Sequence, residues 1–123
     1  MGTVNVAYWI VAGLLALFYL YAGGVKVGRS RERLRPMMAW VDDMPSPAVR
    51  AIGVIEVLGA IGLLLPPLTR IASWLALAAA IGFVVLQVGA TTLHLSRGDR
   101  RIALNITLLL AAALTVWLAT TWL

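Results

Sequence analysis

Apolar positions fill the chain in four long stretches, and polar positions gather between them. Residues 1–25, 71–93 and 102–123 carry no charged side chain, and residues 51–69 carry only Glu56. Each stretch is close to the roughly 20 residues that an α-helix, rising about 1.5 Å per residue, needs to cross about 30 Å of hydrocarbon. The pattern predicts four spanning helices, over about residues 6–25, 48–65, 71–94 and 102–123. Ser46 before Pro47 reads as the N-cap of the second span with proline in its first turn, and Pro66-Pro67 as its end, because proline suits a first turn but cannot donate to the ladder. The connections on either side of the third span are short, so the last three spans are expected to be antiparallel neighbours. The chain reads as one domain over residues 1–123: an all-α integral membrane four-helix bundle with antiparallel up-down topology. Its first stretch lacks a basic start and reads as a retained helix rather than a cleaved signal peptide.

Composition sharpens this picture. With 62% hydrophobic and 12% charged residues and a mean hydropathy of +0.95, the chain has too much apolar surface for a water-soluble domain of its size. A net charge of +5 would suggest nucleic acid in a soluble protein, but here the cations sit in short loops, where membrane lipids with anionic headgroups are the expected partners. Nine of them (Lys26, Arg29, Arg31, Arg33, Arg35, Arg50, Arg97, Arg100, Arg101) fall on one side and Arg70 alone on the other. The positive-inside rule puts the loops after the first and third spans in the cytoplasm, and both termini outside it. Tyr8, Trp9, Trp74, Trp117 and Trp122 are then expected at the outer boundary, where amphipathic rings anchor. Cysteine is absent and His94 is the only histidine, which excludes thiol chemistry and an all-histidine metal cluster within one copy.

The loop after the first span mixes Leu34, Met37, Met38, Trp40, Val41 and Met44 with charges, and reads either as a short interfacial helix or as an irregular loop interrupted by Pro36. Small residues mark packing faces: Ala103, Thr107, Ala111, Thr115 and Ala119 in the fourth span, Ala72, Ala76 and Ala80 in the third, and Gly53, Gly59, Ala60 and Gly62 in the second. Such ladders serve either internal packing or a second subunit.

Glu56 is the most informative residue, because a carboxylate inside a span costs roughly 2.5–3.5 kcal/mol on insertion scales and needs a partner or a wet niche. It lies about seven residues, or roughly 10 Å, into the second span. Gln87, Thr91 and His94 share one face of the third span at i, i+4, i+7. Asn105, Tyr19 and Lys26 reach the same half of the membrane from the fourth and first spans. The expected arrangement is a cytoplasm-facing polar pocket in which Glu56 and Lys26 pair, bridged through His94, Asn105 or water. Two roles stay open for it: fixing helix register, or handling a ligand or proton. His94, at a helix end, suits capping or headgroup contact, and Gln87 and Asn105 suit hydrogen bonds between helices. No catalytic residue and no metal-ligand spacing stands out.

Ala22-Gly23-Gly24-Val25-Lys26 at the end of the first span, followed by residues 52–66 with Glu56, Gly59 and Gly62, resembles the DoxX-like family of small bacterial four-helix membrane proteins. His94 and Asn105 fit its third- and fourth-helix polar positions. The resemblance implies residence in the bacterial inner membrane. It also implies an association with quinone-linked membrane redox assemblies, so that quinone is the one cofactor brought into view.

Three functions compete. The first is a non-catalytic module that binds a quinone, a lipid or a partner subunit, including a second copy of the chain. The second, carried only by the resemblance, is the membrane subunit of a quinone-linked oxidoreductase working with a redox partner. The third is a small proton-coupled transporter. The small multidrug resistance transporters place their glutamate in the first helix and need balanced loops, whereas this chain has Glu56 in the second span and a nine-to-one charge bias.

Overall fold

The computed structural model of the chain describes residues 2–99 and 102–123; Arg100 and Arg101, two of the nine loop cations, lie outside the described residues. Helix α1 spans Thr3–Gly28, the one-turn α2 Arg31–Leu34, α3 Ser46–Thr69, α4 Leu75–Ser96 and α5 Ala103–Ala119. A 3₁₀ turn at Ala39–Asp43 follows α2, and another at Thr120–Trp122 extends α5. α1, α3, α4 and the extended α5 are long and apolar enough to cross a membrane.

These four close into a ring in which α1 and α4 each pack against both α3 and α5. Buried positions recur at alternating four- and three-residue steps: 8, 12, 15, 19, 22 and 26 on α1; 49, 53, 56, 60, 63 and 67 on α3. The same rhythm runs through 76, 80, 83 and 87 on α4 and 108, 112, 115 and 119 on α5. This is the four-three rhythm of a heptad-type packing seam. Within it Ala12, Ala60, Ala76, Ala80 and Ala112 are wholly enclosed, while Leu17, Val85 and Leu110 face outward and are about two-thirds exposed. The alanines let the helices approach closely, which is what holds a bundle in hydrocarbon where expulsion of water does not, and Tyr8, Tyr19, Leu63 and Phe83 fill the rest of the core. Contacts that ascend α1 descend α3: Tyr8 meets Leu63, and Gly23 meets Gly53.

The every-four ladder expected on the fourth span does not form one seam. Ala103 and Thr107 are exposed, whereas Thr115 and Ala119 are buried, because a four-residue step overshoots a turn by about 40° and winds around the helix. Thr115 is accommodated in the seam by donating its hydroxyl to the Ala111 carbonyl at 2.7 Å. Ala72 lies outside any helix.

Ser46 is the first residue of α3 rather than its N-cap; Pro45 takes that position, and the Ser46 hydroxyl accepts from Arg31 instead of capping the helix. Pro66 and Pro67 do not end the second span; α3 continues through both to Thr69. Proline at 67 removes the donor that would serve the Leu63 carbonyl, and the Tyr8 hydroxyl donates there instead, at 2.6 Å. Thr69 closes the helix by donating to the Leu65 and Pro66 carbonyls at 2.9 and 3.3 Å. Arg70 and Ala72 then take left-handed φ values of 59° and 50°, so α4 starts at Leu75 rather than near residue 71. Tyr8 is therefore a core residue, fully buried and edge-on to Trp9 and Trp122, while Trp74 and Trp117 are more than half exposed, as boundary anchors are.

The loop after α1 is not irregular, for it holds the one-turn α2 and a 3₁₀ turn. It folds over the end of α1 and α3 as a cap with its own small core of Val25, Leu34, Val41 and Val49, against which Met38, Trp40 and Met44 pack.

Candidate functional site

Beneath the cap, Lys26 and Glu56 make a direct buried ion pair, with no bridging side chain. The reason lies one turn away on each helix. A Cβ on Gly23 would stand 2.6 Å from the Gly53 carbonyl oxygen, and one on Gly53 would stand 2.7 Å from that of Gly23. The two glycines let the backbones of α1 and α3 touch, and each is followed three residues later by a charge, so Lys26 and Glu56 meet without help from His94, Asn105 or water. Trp40 of the cap places its ring 5.6 Å from the Lys26 ammonium, a cation–π contact that closes the pair from the loop side.

A second polar group joins three spans. Gln87 on α4 donates to the Tyr19 hydroxyl at 2.5 Å and accepts from the Asn105 amide at 3.1 Å. Tyr19 and Gln87 are buried, and Asn105 partly so. Phe83, one turn from Gln87, stacks on Tyr19 with centroids 4.0 Å apart and an interplanar angle of 11°, and its far edge lies over Gly59.

Thr91 and His94 continue the α4 face towards the loops but join neither group. The Thr91 hydroxyl oxygen and His94 Nδ1 are buried without a hydrogen-bond partner among the described residues. His94 Nδ1 lies 3.3 Å from an Asp99 carboxylate oxygen, close enough for an ion pair yet not aligned for a hydrogen bond. Of the seven polar residues expected to share a pocket, five thus form two closed clusters and two stand apart. No group of three or more histidine, cysteine, aspartate or glutamate side chains suited to a metal occurs among the described residues.

Open space lies elsewhere. An apolar groove of about 480 Å³ runs between α3 and α4, where Gly59, Gly62 and Gly82 thin the walls and Leu58, Phe83 and Leu86 line them; none of the seven polar residues reaches it. A smaller cavity of about 30 Å³ sits under the cap and includes Lys26 in its wall. In the cap, Arg35 grips Asp42 with Nε 2.8 and 3.1 Å from its two carboxylate oxygens, which holds that carboxyl below the usual range. Glu32 is likewise lowered, by its own backbone N–H first, then by Ser30 and the nearby arginines.

Two features escaped the sequence reading. The paired spacing Gly23-x-x-Lys26 and Gly53-x-x-Glu56 was its available signal for a direct contact. Gly82 stands alone among bulky neighbours, and only the fold shows that it opens onto the groove.

The DoxX-like family model matches residues 10–118 of the chain. No curated protein and no solved structure matches it.

Proposed function

The chain belongs to the DoxX-like family, and on that premise we propose that it is a non-catalytic membrane module that holds the apolar tail of a quinone or lipid between α3 and α4. The groove carries this reading. It is large enough for a branched or straight hydrocarbon chain and almost wholly apolar, and glycine rather than side-chain packing shapes it. Phe83 separates it from Tyr19 and Gln87, so a quinone head that displaced the Phe83 ring would meet a hydroxyl and an amide able to bond its carbonyl oxygens. The Lys26 and Glu56 pair lies on the loop side of this region and acts as a latch between α1 and α3. By the positive-inside rule the cap is cytoplasmic and the groove opens into the other half of the membrane.

Substitution at Gly82 tests this, since Gly82 lines the groove and no atom lies within 4 Å of a Cβ added there. Gly82→Phe fills the groove. Quinone and lipid extracted from the detergent-purified protein and quantified by mass spectrometry should show one apolar ligand per parent chain. Retention should fall roughly tenfold in the variant, equivalent to about 1.4 kcal/mol of binding, with the unfolding temperature unchanged. Equal retention by parent and variant would remove the groove as the binding site.

A further inference from the structure

We infer that the small cavity beneath the cap binds a single phosphate group, that of an anionic phospholipid headgroup. It lies where α1 ends and α3 begins, at the level where both spans leave the hydrocarbon, and it shares no lining residue with the groove. Lys26, Arg29, Arg31 and Arg50 line it with Ser30 and Ser46, and no described carboxylate does. Lys26 is matched by Glu56, and Arg35 outside the cavity by Asp42. Three arginines therefore face the space, and the carboxylates acting on Arg31 from nearby, Glu32 and Asp42, are both exposed and outside the cavity wall. That excess suits one phosphodiester.

Arg31 is built in rather than free. Its Nη2 donates to the Met44 carbonyl at 2.7 Å and to the Ser46 hydroxyl at 3.3 Å, while its Nε is buried without a partner among the described residues. A guanidinium anchored at one corner with a dry, unpaired donor at another is arranged for an acceptor, and phosphate oxygens match its fork. The cavity, at about 30 Å³, exceeds the roughly 10–15 Å³ that one water requires. It has room for a phosphate group but not for a sugar or base beside it. Exposed Val27, next to Lys26, and Val54, one turn beyond Arg50, offer apolar surface for the attached acyl chains.

Native mass spectrometry of the delipidated protein in an uncharged detergent, titrated with phosphatidylglycerol or phosphatidylcholine, tests the assignment. One phosphatidylglycerol should bind about tenfold more tightly than phosphatidylcholine, and Arg29→Gln and Arg50→Gln should each reduce that preference severalfold, as the loss of a charge-assisted contact does. Arg33→Gln, on the cap but outside the cavity, should leave the preference intact, as should Gly82→Phe, which separates this site from the groove. Circular dichroism melts establish that each variant is folded. Equal binding of the two lipids would overturn the inference, as would a loss in Arg33→Gln equal to that in Arg50→Gln, which would mean a diffuse charged surface. Thermal stabilisation by inorganic phosphate alone that matches the effect of phosphatidylglycerol would assign the cavity to a soluble phosphate and overturn the lipid source.

Discussion

Two charges are hidden at the Lys26 and Glu56 pair, with side chains only 8% and 3% exposed, and each makes the other tolerable. Desolvating either alone is unfavourable by several kcal/mol, so the pair holds α1 to α3 only while both members are present. Glu56→Gln leaves the ammonium buried without its counter-charge and should destabilise the protein by about 3–5 kcal/mol. Lys26→Met combined with Glu56→Gln should recover roughly half of that loss, a coupling that a double-mutant cycle of thermal unfolding in detergent would measure. Additive losses would show that the two residues do not act as a pair. The ionisable partners were legible in the sequence because charges are so scarce within the spans. Their direct contact was not, since it depends on how closely two backbones approach at Gly23 and Gly53, and helix crossing distance is a tertiary quantity.

At the level of the helices, the four spans were legible because a charge-free run of about 20 residues has few other uses, but their ends and faces were not all so. The seam of each helix follows a four-three rhythm that buries Ala12 and Leu15 or Ala60 and Leu63, whereas runs of alanine spaced by four attract the eye and mislead, as Ala103 and Thr107 do. The passage of α3 through Pro66 and Pro67 is a second case, because local chemistry says stop and Tyr8, 55 positions before Leu63, supplies the missing donor. That substitution of one donor for another is testable. Tyr8→Phe should cost about 1–2 kcal/mol by leaving the Leu63 carbonyl without a partner. In a Pro67→Ala background, where the helix can donate to that carbonyl itself, the same change should cost much less. Chemical denaturation of the four proteins in detergent gives the coupling, and an equal cost in both backgrounds would mean that the hydroxyl does not stand in for the donor that Pro67 removes.

The whole molecule is polar in a second sense, for its two ends differ in chemistry. One end carries the cap, with Arg29, Arg31, Arg33, Arg35 and Arg50 around the buried pair and the small cationic cavity. The other gathers Trp9, Trp122 and Tyr8 around the start of α1 and the end of α5, tied by a 2.9 Å hydrogen bond from Thr121 to Asn5. Cytoplasmic loops retain arginine and lysine because their translocation is disfavoured, so the cap end is expected inside and both termini outside. The asymmetry is too large to be reversed by one residue, since removing any one of the nine cations still leaves eight against one. A C-terminal alkaline phosphatase fusion should therefore be active, and a C-terminal fluorescent protein that matures only in the cytoplasm should be dark. Fusions placed after Arg35 in the cap should show the reverse. A dark phosphatase at the C-terminus paired with a bright fluorescent protein would place the cap outside. The cavity under the cap would then face the outer leaflet, and the membrane half assigned to the groove between α3 and α4 would change with it.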